Sequence, residues 1–282
     1  MESQNAFSRV FSLEFFPPKN EAAAESLQQT RAELAKLKPA YISVTFGAGG
    51  STQQGTLETV LDIQQSGTKA APHISCITSS KDELRQLLNT YQQNGIDRIV
   101  TLRGDLPSGA HGSMGELRYA NELVAFIRQE TGDHFHIEVA AYPEFHPQSR
   151  DASSDLDNFK RKVEAGANSA LTQYFYNADA YFSFVEACED RGMSIPVIPG
   201  IMPITNYKQL ARFSDMCGAE IPRWIKWRLQ DYGDDLASLK AFGYDVTLSL
   251  CQRLLDGGAP GLHFYSMNRI EPTKQLWQDL NL

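Results

Sequence analysis

The sequence has few of the groups that build a metal centre or a disulfide framework. Its four cysteines, Cys76, Cys188, Cys217 and Cys251, lie too far apart in the chain to form a CxxC pair. Such isolated thiols read as reduced and mostly buried, which suits the cytoplasm and argues against a zinc site. The six histidines show no HxH or HExxH spacing, so no metal is expected. Positive charge is scarce as well, with 26 Lys and Arg against 34 Asp and Glu, a net charge of −8. Binding a phosphate backbone needs concentrated basic residues, so nucleic acid is not an expected partner. No apolar run approaches the roughly 18 residues of a membrane span. The opening "MESQNAFSRVFS" has neither a basic segment nor an apolar one after it, so no membrane anchor and no secretory signal are expected. GxGxxG and GxSxG are missing too, which removes the usual dinucleotide fold and the hydrolase elbow.

What the sequence does contain is alternation. Strand-like runs occur at 11–16, 41–46, 72–77, 98–103, 136–142, 169–175, 196–202 and 261–267. Amphipathic stretches separate them at 20–37, 55–65, 81–93, 116–130, 154–165, 178–190, 206–215 and 235–256. Leu84, Leu87, Leu88 and Tyr91 have helical spacing, Ser80 and Asn206 suit N-caps, and Gly95, Gly166 and Gly192 suit helix ends. Strand and helix in regular turn predict an α/β fold, a single (β/α)8 TIM barrel. The stretch 214–235 predicts an extra helical segment between strands seven and eight. With no linker and no internal repeat, residues 1–282 read as one domain.

Strand periodicity sorts side chains onto two faces. Phe11, Leu13, Phe15, Ile42, Val44, Val100 and Leu102 are expected to face the helices. Ser12, Glu14, Ser43, Thr45, His73, Ser75, Thr101, Arg103, Asp105, Glu138 and Tyr142 are expected to face the barrel interior. A barrel filled only for stability would carry branched apolar residues there, whereas barrel enzymes gather polar groups at the C-terminal ends of the strands. "SLEFFPP" (12–18) thus raises a specific question, because Glu14 sits in an apolar run where ionising it is costly. Either it is solvated at a strand end, or it points into a shared mouth.

Other stretches leave similar pairs of readings. Arg103 and Asp105 in "TLRGDLPSG" (101–109) suit a ligand contact or an ion pair at the rim. "VTFGAGGST" (44–52) is a glycine turn open to close approach by a ligand. Tyr142, Glu144 and His146 follow strand five. Asp155, Asn158, Arg161 and Lys162 on one helix suit a solvated face or an anion site. Gln173 offers an amide that both donates and accepts, as a heterocycle needs.

Taken together, "EFFPPK" (14–19), "VTFGAGGS" (44–51), "APHISC" (71–76), "LRGDLP" (102–107), "AAYPEFHP" (140–147), "LDNFKRKVEAGAN" (156–168), "TQYF" (172–175), "IPGIMPI" (198–204) and "HFYSMNR" (263–269) resemble the bacterial 5,10-methylenetetrahydrofolate reductases, in order and almost end to end. The resemblance implies an FAD-dependent barrel oxidoreductase of one-carbon metabolism. It implies a ping-pong hydride relay from NAD(P)H to methylenetetrahydrofolate that feeds methionine synthesis, in a cytoplasmic homo-oligomer, a tetramer by analogy. It also implies that the regulatory domain of the eukaryotic enzymes is absent. On it Glu14 is the general acid that opens the substrate ring, with its pKa expected to be raised by an apolar mouth. Asp105 is the second catalytic group, beside the flavin and the pterin. The residues implied for the flavin are Thr45, Phe46, Ala48, His73, Arg103, Gly104, Asp105, Tyr119, Ala120, Tyr142, His146, Asp155, Asn158, Arg161 and Lys162. Those implied for the substrate are Thr45, Asp105, Gln173, Gln209, Phe213 and Arg269. Two other readings accommodate the same barrel: a proline dehydrogenase-like flavoenzyme, and a cofactor-free lyase or binding protein.

Overall fold

A computed structural model describes residues 2–46, 53–77, 79–104 and 115–282. A short α1 (Glu2–Asn5) leads into β1 (Val10–Phe15), α2 (Glu21–Ala35), β2 (Ile42–Val44), α3 (Gln53–Gln65) and β3 (Ala70–Ser75). Next come α4 (Lys81–Gln93), β4 (Arg98–Leu102), α5 (Ala120–Thr131), β5 (His136–Ala141), α6 (Ala152–Glu164), β6 (Ser169–Thr172) and α7 (Ala178–Asp190). The last third holds β7 (Val197–Ile198), β8 (Gly200–Ile201), α8 (Tyr207–Cys217), α9 (Arg223–Asp231), α10 (Leu236–Asp256), β9 (Gly261–Tyr265) and α11 (Thr273–Asp279). The expected insertion is thus present as α9.

All pairings are parallel, in the order β7-β6-β5-β4-β3-β2-β1-β9-β8. Segments β7 and β8 are separated only by Pro199. The first pairs with β6, with Leu171 beside Ile198, and the second with β9, with Gly200 beside His263. Together they occupy the seventh position and close the barrel. A proline breaks the ladder there because it has no N–H to give, while its carbonyl still accepts from His263 N at 2.9 Å.

Local signals start the helices where expected. Ser80 and Glu83 form a reciprocal capping box on α4, and Asn206 accepts from Gln209 N at the start of α8. Between barrel and helices lies the main core, with Leu13, Phe15, Ile42, Val44, Ile74, Ile99, Ile137, Val139 and Phe264 contributed from the strands. A second, smaller cluster fills part of the barrel interior: Val100, Leu171 and Ile198, with Val10 and Leu102 against them.

That cluster corrects one expectation. Val100 pairs beside the interior residues His73 and Glu138, and Thr101 beside Ile74 and Val139 of the outer core. Strand β4 therefore presents Val100 and Leu102 inward and Thr101 outward, the reverse of the sequence reading. Pairing with two neighbours fixes which face a strand turns inward, and a five-residue strand with apolar residues on both faces leaves its own periodicity ambiguous.

Candidate active site

Glu14 stands near the C-terminal end of β1, opposite Ser43 on one side and Tyr265 on the other. Its side chain is 17% exposed, and one carboxylate oxygen lies 3.3 Å from His73 Nε2 and 3.6 Å from His263 Nε2. The strand end is held in place from β9. Ser266 Oγ donates to the Glu14 carbonyl at 2.7 Å, and Asn268 pairs both ways with the Phe16 backbone, at 3.0 and 2.9 Å. Glu14 faces the mouth.

Its protonation differs from the expectation of a raised pKa. Burial is the largest single influence and does push the carboxyl up, but the His263 and His73 imidazoles that face it outweigh it and hold the group at about 2. The apolar surroundings were legible in the sequence, whereas the two imidazoles arrive from other strands. Tyr265, whose hydroxyl donates to the Thr172 carbonyl at 2.7 Å, lies on the same interior face. Burial and the neighbouring Glu14 charge raise its pKa well above the usual phenol range.

Two buried polar atoms at this mouth have no hydrogen-bond partner among the described residues: Thr45 Oγ1 and His73 Nε2. The ring nitrogen is near Glu14 but off the line a hydrogen bond needs. A buried polar atom left unpaired costs about 1–3 kcal/mol, so both positions suit a polar ligand. Just past β4, Gly104 adopts φ +86 and packs directly on Ser75, whose Oγ would lie 1.9 Å from a Cβ there, so the backbone turn requires glycine.

Arg103, just past β4, is tied to the loop that follows β5. Arg103 Nη2 donates to Gln148 at 2.7 Å, and Gln148 N donates to His146 Nδ1 at 3.0 Å. The His146 and Tyr142 rings meet edge to face at 4.6 Å. Asp155, buried in the first turn of α6, accepts from His146 N at 3.1 Å and Ser149 Oγ at 2.8 Å. Further along the helix, exposed Arg161 donates to exposed Asn158 at 2.8 Å. Half-buried Lys162 donates to the Ala140 carbonyl, and burial draws its ammonium down to about 8 against the opposing pull of Asp155. Tyr119, 58% exposed, and Ala120 begin α5 across the rim.

On the opposite side, Gln209 and Phe213 share one face of α8, a turn apart, and both are half-buried. Exposed Arg269 donates to Thr205, just ahead of that helix, at 3.3 Å. Half-buried Gln173 follows β6, where the next residue, Tyr174, bonds Ser214 of α8 at 2.9 Å. Phe46 is half-buried just past β2. Ala48 and Asp105 lie outside the described residues.

A family model described as methylenetetrahydrofolate reductase matches residues 2–281. The chain belongs to that family. The 5,10-methylenetetrahydrofolate reductase of Escherichia coli K12 is 40% identical over 261 residues, covering 92% of this chain and 86% of that protein. Methylenetetrahydrofolate reductase (NADH) 1 of Arabidopsis thaliana is 36% identical over 272 residues, 92% of this chain and 46% of its own length. Among solved structures, an uncharacterised Clostridium thermocellum protein that binds two copies of 5-methyl-5,6,7,8-tetrahydrofolic acid shares the fold, at TM-score 0.71 and 17% identity over 99% of this chain and 97% of that one. Membership makes reduction of methylenetetrahydrofolate the chain's chemistry.

Against this family the sequence reading missed His263, Ser266, Asn268 and Tyr265 as parts of the Glu14 environment. The signal was available: period two along "HFYSMNR" puts His263 and Tyr265 on one face, opposite Phe264. Among the described residues no helix is long and apolar enough to cross a membrane.

Proposed function

We propose that this reductase uses FAD and NAD(P)H in a ping-pong relay that converts 5,10-methylenetetrahydrofolate to 5-methyltetrahydrofolate, with Glu14 as the acid. The observation that carries this reading is the mouth itself, where a carboxyl contacts two imidazoles beside the unpaired buried hydroxyl of Thr45. Thr45 and His73 fit a flat polar heterocycle, with the Gly104 backbone as a further proposed contact, and Arg161 and Lys162 fit a diphosphate through charge-assisted bonds. Phe46, Ala48, Arg103, Tyr119, Ala120, Tyr142, His146, Asp155 and Asn158 complete the proposed flavin contacts, and Asp105 the contact shared with the pterin. When bound, FAD supplies a two-electron carrier that accepts a hydride from the nicotinamide and returns it to the folate.

The chain's own contribution is orientation and a proton. Gln173 pairs with the pterin edge, Phe213 stacks on an aromatic ring, and Gln209 and Arg269 hold the glutamate tail. Glu14 needs a proton to open the substrate's five-membered ring. The two imidazoles that face it favour its ionised form, while its burial favours the protonated one. A substrate that displaces or shields the imidazole contacts would leave burial in control and the proton on the carboxyl. Such a proton source is worth about 10²–10⁴-fold in rate. The cytoplasm, the supply of methyl groups for methionine and assembly as a homo-oligomer, a tetramer, belong to the same reading.

The test is to run the half-reactions separately by stopped flow with Glu14→Gln. Reduction by NADH is expected to keep its rate, while reoxidation by methylenetetrahydrofolate slows by about 10²-fold or more. Equal slowing of both steps would make Glu14 a structural residue and overturn the assignment.

A further inference from the structure

The polar groups inside the barrel do not stop at Glu14. One side of the interior is apolar, with Val100, Leu171 and Ile198. Threaded past it, polar groups on β1, β9 and β5, with Tyr41 just ahead of β2, run toward the N-terminal face. His263 Nδ1 meets Ser12 Oγ at 2.7 Å. Ser12 lies next to the Tyr41 hydroxyl, close enough to influence its ionisation, and the Tyr41 ring stacks on His263 at 6.2 Å. The Tyr41 hydroxyl donates to Glu138 at 2.7 and 2.9 Å. Glu138, with no exposed surface, also accepts from Arg98 at 2.8 Å and from Ser169 Oγ at 3.1 Å. Ser169 Oγ lies 2.8 Å from His136 Nε2. His136 and Arg98 line an open cleft of about 510 Å³ on the N-terminal face, at the far end of the barrel from the mouth.

We propose that this line of side chains is a proton path that refills Glu14 through the floor of the barrel. The inference rests on the function proposed above. That reaction adds a hydride and a proton to the substrate, and the substrate lies over the mouth while the proton is spent. A barrel interior built for stability would be packed with apolar residues. A buried carboxylate such as Glu138 costs desolvation that a hydrophobic replacement would avoid. A path explains its position, midway along a chain of groups that each both give and take a proton.

The transfers balance. Glu14 gives its proton to the substrate and takes one from His263 Nε2. His263 Nδ1 takes one from Ser12, Ser12 from Tyr41, and Tyr41 from the Glu138 carboxyl. Glu138 takes one from water in the cleft through Ser169 and His136. One solvent proton enters for each one spent, and the cycle closes when the hydroxyls rotate and the His263 and His136 rings turn over to regain their first tautomers. The step between His263 and Glu14 spans 3.6 Å and closes with a small turn of the ring.

Tyr41→Phe removes one hydroxyl in the middle of the path and leaves Arg98 and Ser169 on Glu138. In the purified flavoprotein we expect the NADH half-reaction to be unchanged. The folate half-reaction should slow by roughly tenfold or more, with a larger solvent deuterium isotope effect. A structural role would instead slow both halves or release flavin, and either result, or unchanged folate kinetics, overturns the path. An independent readout is the ring ¹⁵N spectrum of His263, assigned with a His263→Asn variant. Its tautomer signature should shift in Tyr41→Phe and also in Glu138→Gln, and a spectrum unmoved in both means the line is broken. If the protein fails to pass hydride to methylenetetrahydrofolate while the spectrum does respond, the proposed function fails and the hydrogen-bonded line stands.

Discussion

The Asp155 carboxylate holds His146 in place through the backbone, accepting its N–H at 3.1 Å from a buried position in the first turn of α6. The helix does not need Asp155 for its own cap, because Asp151 accepts from Ser154 N at 2.7 Å. Replacing Asp155 therefore acts on the loop. Asp155→Ala is expected to keep α6, to lower stability by about 1 kcal/mol for the half-buried donors it strips of a partner, and to release flavin more readily. Flavin absorbance after dialysis checks this; full retention would place His146 and its loop outside the cofactor site.

Arg161 and Lys162 are neighbours in sequence with opposite environments, so single substitutions should separate them. Arg161→Ala removes an exposed side chain and should leave thermal stability intact while weakening flavin binding by about 1.5–3 kcal/mol, the worth of a charged hydrogen bond. Lys162→Met strips the Ala140 carbonyl of its donor and should lower the melting temperature as well. A fully loaded, normally stable Arg161→Ala protein would return that residue to plain surface.

Gly200 lies where β8, β6 and the Tyr265 ring converge. A Cβ there would be 2.2 Å from the Thr172 carbonyl and 2.7 Å from Tyr265. Gly200→Ala must displace one of them, at an expected cost of about 1–3 kcal/mol for overpacking. Because Tyr265 shares the interior face with Glu14, the folate half-reaction should suffer more than the NADH half-reaction. An unchanged denaturation midpoint would show that the strand yields freely.

His136 gives the stability a defined pH dependence. Burial, aided by the Arg98 charge, lowers its pKa from 6.5 to about 4. Between those values the unfolded chain binds a proton that the folded one refuses, so stability contributed by the neutral ring is complete above pH 6.5 and declines as pH falls toward 4. His136→Gln should flatten that part of the curve in denaturant titrations at stepped pH. A slope that persists there would assign the effect to another group.

The barrel could be read from the chain because strand and helix periods alternate cleanly and caps such as Ser80 with Glu83 mark the boundaries. Glu14, His73 and the α6 residues were legible as members of a quoted motif. The face of β4 was not, since Val100 and Thr101 are each plausible on either side until β3 and β5 fix the pairing. Nor was the charge state of Glu14, which depends on His263, a residue 249 positions away (263 − 14) that contacts it only after the barrel has closed. Contacts across such a separation leave no local pattern.

The break at Pro199 has a dynamic consequence. Closure at the seventh position depends on two residues on each side, where the other strands of the barrel mostly offer longer runs. Backbone amides along this seam should exchange with solvent through small local openings well before the amides of β3 to β5. The seam also contains the Pro199 carbonyl that receives His263 N. Each such opening would loosen the ring beside Glu14, so the part of the wall expected to breathe most freely is the part that steadies the one carboxylate at the mouth among the described residues.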